Sequence, residues 1–159
     1  MFDILMYLFE YYILGEFDFK NTPDYLSADL KKEGFHQEEI ENAFSWLSQL
    51  CPPSEEFPEM MTAFSTGTRI FSPWENARLT REARGFILNL EATGILNPLL
   101  RERVIERALA LNVDYITLSE LKLITIMVLG ACTEGIGTLE SAEGLREFLL
   151  SDQTRETSH

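Results

Sequence analysis

The sequence predicts an all-α fold, seven to eight short helices in one compact, bundle-like domain with little or no sheet. Three observations carry this. Apolar residues return at helical spacing, as in Ile40, Phe44, Leu47 and Leu50, at steps of four, three and three. Start and stop signals bracket the periodic runs, including Ser/Thr-x-x-Glu boxes at Ser72 and Thr117. Only residues 69–71 read as a short extended segment. An apolar share of 45% over 159 residues supplies a real core and argues against a disordered chain.

The elements follow in order. Residues 2–14, FDILMYLFEYYIL, are apolar nearly all round, with Asp3 and Glu10 on one narrow stripe. Such a helix belongs in the middle of a fold or in an interface. Thr22-Pro23 caps the next helix, which stops at Gly34. Residues 36–50 form the third. Three prolines, Glu55, Glu56 and Glu59 make residues 51–67 irregular, although Phe57, Met60, Met61 and Phe64 suit partial packing. Ser72 opens a short helix to about Leu79. Thr80 caps a helix closed by Gly94, with Ala83, Phe86, Ile87 and Leu90 inward. Asn97-Pro98 opens another, with Leu100, Val104, Ile105, Ala108 and Leu109 inward, and both core faces turn away from the arginines. Thr117 opens residues 118–129, again apolar almost all round. Gly130 stops that helix and a loop follows. Residues 138–151 form a last amphipathic helix, and the tail is loose. The two nearly all-apolar helices, 2–14 and 118–129, are the expected central pair. The organisation expected is an acidic helical subdomain over 1–50, a connector over 51–68, an arginine-bearing subdomain over 69–151 sharing the same core, and a tail over 152–159.

Charge sorts the functional classes. The net charge is −13, which disfavours non-specific binding to nucleic acid or an anionic membrane. Residues 1–66 hold three lysines against thirteen acids, whereas residues 67–159 hold nine arginines and one lysine against thirteen acids. The two isolated cysteines, Cys51 and Cys132, suit a reducing cytoplasm and are read as free thiols. The first residues lack the basic region of a signal peptide, and no run is long and uncharged enough to span a membrane.

Several kinds of chemistry are missing. The two histidines are His36, at a helix start on the surface, and the terminal His159. No CxxC, HxxxH, HExxH or DxD spacing marks a metal site, and no GxGxxG or GxxxxGK[ST] loop cradles phosphate. The pairs Glu38-Glu39 and Glu55-Glu56 read as solvated surface rather than as acid–base machinery. The helix–Gly–helix unit at 23–50 has the outline of a helix-turn-helix. Its second helix, however, begins with Glu38, Glu39 and Glu41 and carries no lysine or arginine, so phosphates would repel it. It is read as an αα-hairpin with Phe44 and Trp46 in the core. No catalytic residue, metal or cofactor is expected.

What remains is an arginine band. Residues 69–107 carry seven arginines and no lysine. Arg78, Arg81 and Arg84 step by three, and Arg103 and Arg107 form one ridge beside Glu102 and Glu106. Two fates are open to them. They pair with glutamates and knit the fold, or they form an exposed surface for an acidic partner. Arg78, Arg81, Arg84, Arg101, Arg103 and Arg107 are therefore the candidate partner-binding residues.

The chain also resembles the bacterial Smg family, whose function is unknown. The resemblance rests on MFDILMYLFEYY at the start and L-x2-DL-x3-GF-x3-EI-x2-AFSWL from Leu26. It continues through RIFSPWE-x3-L-x2-E-x-RGF-x3-LE-x-TGIL from Arg69, RE-x-VIER-x2-AL from Arg101, and LK-x4-MVL from Leu121. These run in order over about residues 1–130 and implicate no catalytic residue. Genes of that family often stand beside one for a protein that handles single-stranded DNA, a weak pointer to information processing. The function expected is a non-enzymatic cytoplasmic adaptor that binds another protein through its arginine-bearing middle. The alternative is a single-stranded nucleic-acid binder or DNA-processing accessory, disfavoured by net charge. No membrane partner is expected, and a homodimer is left open.

Overall fold

The computed structural model describes residues 2–13, 24–50 and 69–132. The Thr22-Pro23 cap, the 51–68 connector, the helix expected over 138–151 and the tail lie outside the described residues. Within them there are seven helices and no strand. They are α1 (Phe2–Ile13), α2 (Asp24–Lys32), α3 (Gln37–Ser48), α4 (Pro73–Arg78), α5 (Arg81–Ala92), α6 (Pro98–Leu109) and α7 (Leu118–Cys132). The fold is all-α, as the periodicity predicts.

Local chemistry sets the helix starts. The Ser72 hydroxyl accepts from the Glu75 amide at 3.2 Å, and the Glu75 carboxylate accepts from the Ser72 amide at 2.8 Å. Thr117 and Glu120 repeat this box at 3.4 and 2.8 Å. The Thr80 hydroxyl accepts from the Ala83 amide at 3.3 Å, and the Asn97 side chain from the Leu100 amide at 2.8 Å. Each bond satisfies one of the amides that a helix start leaves without a partner. His36 stands exposed at the start of α3, where its amide donates to Glu39.

Two helix ends share one device. Gly34 and Gly94 adopt φ of 98° and 81°. Gly34 donates to the Lys31 carbonyl and Phe35 to that of Leu30, while Gly94 donates to Glu91 and Ile95 to Leu90. Each is a left-handed glycine stop whose following apolar residue packs back on the core. Residues 69–72 lead into α4 without forming a strand. The described residues contain one isolated parallel bridge, Leu79 to Ile116, in which Ile116 donates to the Arg78 carbonyl and Thr80 donates to that of Ile116.

One hydrophobic cluster runs through the molecule. α7 is buried on nearly every side, from Leu121 to Leu129, because α5 and α6 both pack on it. Its Thr125 hydroxyl is satisfied by donating to the Leu121 carbonyl at 2.7 Å, and the Lys122 ammonium lies 5.9 Å from the Phe86 ring centre. The α1 helix takes a different place from the expected one. It packs chiefly on α3, as does α2, rather than forming a central pair with α7. It also leaves Met6 exposed beside buried Ile4, Leu5 and Leu8. An apolar helix needs cover, but hydropathy does not name which neighbour supplies it. α7 also runs through Gly130 to Cys132 instead of stopping at the glycine. Burial of Leu129 and Ala131 offsets the ~1 kcal/mol that a mid-helix glycine costs.

Candidate functional site in the arginine band

The arginines of the band fall into two groups. The first joins helices. Arg69 donates to Glu75 at 2.7 Å and Glu102 at 2.8 Å, with its guanidinium 5.4 Å from the Phe71 ring centre. The bond to Glu75 raises the Arg69 pKa above its ordinary value, and the same bond holds the Glu75 carboxyl below its own. Arg101 is buried and bonded to Glu91 at 2.5 Å, with Glu102 at 3.6 Å. Arg103 donates to the carbonyls of Leu50 at 3.0 Å and of Gln49, just past the end of α3, and to Glu106 at 2.8 Å.

Arg107 lies beside it with a side chain only 6% exposed. Its one ion-pair partner, Glu106, is 3.1 Å away and 53% exposed. Burial therefore pushes the Arg107 pKa down more than that solvated carboxylate lifts it. The Arg107 carbonyl, in the last turn of α6, accepts from the buried Trp46 indole at 2.9 Å. Helix ends leave carbonyls without partners, and cations there also meet the negative end of the helix dipole. Arg103 and Trp46 thus stitch the ends of α3 and α6 together.

The burial of Arg101 and Arg107 departs from the expectation that the α6 core face turns away from its arginines. α6 is enclosed on two sides, by α7 and by the end of α3. Helical spacing holds the signal for this. Arg101 shares a stripe with Val104, Ile105 and Ala108, and Arg107 shares one with Leu100, Val104 and Leu111.

The second group is Arg78, Arg81 and Arg84, on α4 and the first turn of α5. None of them has a carboxylate partner among the described residues. Arg78 donates to the Leu111 carbonyl at 2.9 Å and lies 5.5 Å from the Trp74 ring centre. Arg84 donates to the Asn76 side chain, which brings the start of α5 against α4. Arg81 is exposed. Around them stand side chains that a charge-based reading misses: Trp74 at 58%, Tyr115 at 59% and Ile70 at 85% exposed. The Leu79–Ile116 bridge buries both of its residues and leaves Tyr115 outside, next to Arg78. A Trp and an Arg four apart on one short helix were the available sequence signal.

Elsewhere, no group of three or more His, Cys, Asp or Glu residues is placed to hold a metal among the described residues. No helix among them is long and apolar enough to cross a membrane. The Cys132 sulfur lies 3.5 Å from the Leu50 carbonyl oxygen, and Cys51 lies outside the described residues.

A family model described as "Protein of unknown function (DUF494)" matches residues 1–158. The chain is 44% identical over 131 residues to the "Protein Smg homolog" of Tolumonas auensis, covering 81% of this chain and 83% of that one. It is 42% identical, with the same coverage, to "Protein Smg" of Serratia proteamaculans and to the "Protein Smg homolog" of Vibrio cholerae. The chain belongs to the Smg family. The family match runs to residue 158, well past the 1–130 region that carries the recognisable motifs. No solved structure matches the chain.

Proposed function

We propose that this Smg-family chain is a non-enzymatic cytoplasmic adaptor that receives another protein on the face formed by α4 and the start of α5. One observation carries the reading. In a chain of net charge −13, Arg78, Arg81 and Arg84 have no carboxylate partner among the described residues, while Arg69, Arg101, Arg103 and Arg107 each have at least one. Unneutralised arginines beside exposed Trp and Tyr match the residue types that dominate protein interfaces. The groups most suited to chemistry are otherwise engaged. Glu75, Glu91, Glu102 and Glu106 are held in ion pairs, and His36 sits at a surface helix start.

The test is Arg81→Glu with Arg84→Glu in the tagged full chain, expressed in its native cell. Loss of a specific captured protein, with a thermal melt lowered by no more than the loss of the Arg84–Asn76 bond explains, is the expected result. Capture that ignores the substitutions overturns the reading. So does release by nuclease, or retention on single-stranded DNA at about 50 mM salt that falls steeply as salt rises, because either outcome makes the ligand a nucleic acid.

A further inference from the structure

Resting on the adaptor reading, we infer that the partner presents an acidic segment bearing one apolar or aromatic anchor, and that the anchor seats on Trp74 beside Tyr115 while its carboxylates meet Arg81 and Arg84.

Charge supplies the first ground. The chain has twice as many acids as bases, 26 against 13, yet none of the described acids pairs with these three arginines. The second ground is where the apolar surface lies. Among the described residues the exposed large apolar side chains are Met6, Ile70, Trp74 and Tyr115; Trp74 is on α4, Ile70 lies three residues before the start of that helix, and Tyr115 precedes Ile116, whose amide bonds the Arg78 carbonyl at the end of α4. Arg78 is fixed to the Leu111 carbonyl and lies against the Trp74 ring. Trp74 is thereby held from behind while more than half of it faces solvent. A ring ordered in this way loses little freedom when a second apolar group covers it.

The same geometry favours a peptide over a nucleic-acid strand. With Arg78 committed to the Leu111 carbonyl and one nitrogen of Arg84 to Asn76, Arg81 and the rest of the Arg84 guanidinium remain to face an anion. Exposed Glu82 follows Arg81 on the same turn of α5, and exposed Asp114 adjoins Tyr115 in sequence. A phosphate backbone brings repeated charge against those acids and against the net −13 of the chain. A peptide brings carboxylates only where the arginines are.

Fluorescence polarisation on the full chain tests this with four labelled probes: a Glu/Ser peptide with one central Phe, the same peptide with Ser for Phe, a version with Lys for Glu, and oligo-dT. The Phe-bearing acidic peptide should bind, and binding should weaken with salt. Trp74→Ala should weaken it by about tenfold or more without moving the melt, and Arg81→Glu with Arg84→Glu should remove it. No binding of that peptide overturns the inference, as does equal binding of its Ser version, indifference to Trp74→Ala, or preference for oligo-dT. If cellular capture depends on Arg81 and Arg84 but ignores Trp74→Ala, the adaptor reading stands and this inference falls. If capture ignores all three positions, both fall.

Discussion

Reversing the charge of Arg103 and Arg107 together should collapse the fold rather than merely uncouple a partner. Arg103 gives charge-assisted bonds to the Leu50 and Gln49 carbonyls, and such bonds contribute about 1.5–3 kcal/mol each. The end of α3 is partly solvated, which brings the loss to about 2 kcal/mol for the pair, because water can replace part of it. At position 107 a glutamate would be buried beside Glu106. Breaking a buried pair costs about 3–5 kcal/mol, and the half-exposed Glu106 argues for the lower end. The sum, about 5 kcal/mol, equals the lower limit of a typical domain's stability. At roughly 2–4 °C per kcal/mol, Tm should fall by about 10–20 °C. Circular-dichroism melts of this double variant, run beside Arg81→Glu with Arg84→Glu, provide the assay. That second pair should lose far less: Arg81 is exposed, and the half-buried Arg84 gives up its bond to Asn76, a loss of about 1 kcal/mol. A double variant at 103 and 107 that melts within about 3 °C of the parent would refute the reasoning.

Three further outcomes are expected. Trp46→Phe keeps an aromatic ring but removes the donor to the Arg107 carbonyl, so stability should drop by about 1–3 kcal/mol, read as a lower urea midpoint with an unchanged slope. Gly34→Ala and Gly94→Ala should each cost about 1–2 kcal/mol from positive φ alone, since no atom lies within 4 Å of the added Cβ, and urea titration of the double variant should show the two costs adding. Glu75 is held below its ordinary 4.5 by Arg69, so its contribution to stability is present above that value and is lost as pH falls through its lower folded pKa. Arg69→Met should flatten that acid limb in urea midpoints measured from neutral to acid pH, and an unchanged limb would show that the pair is not linked to folding.

The stops and starts of this chain were legible because they are local. Ser72, Thr80, Asn97 and Thr117 each act on an amide three residues away, and Gly34 and Gly94 close bonds spanning at most six residues. The inward face of α5 (Ala83, Phe86, Ile87 and Leu90) was legible for the same reason, since period alone selects it. The candidate site was legible in part. Spacing singled out Arg78, Arg81 and Arg84, but it placed Arg101, Arg103 and Arg107 with them and passed over Trp74 and Tyr115.

By itself, then, the sequence determined the helical class, the helix starts at Ser72, Thr80, Asn97 and Thr117, the glycine stops at Gly34 and Gly94, and the surplus of arginine in the middle of an acidic chain. Tertiary structure alone decided that α1 lies on α3, that α7 runs through Gly130, and which arginines have carboxylate partners. The reason is the range of the interactions. A cap or a helical stripe is settled within one or two turns. The contact between Arg103 and the Leu50 carbonyl joins residues 53 apart in sequence, and only the packing of α3, α6 and α7 brings them together. That packing sends Arg101 and Arg107 inward and leaves Arg81 outside.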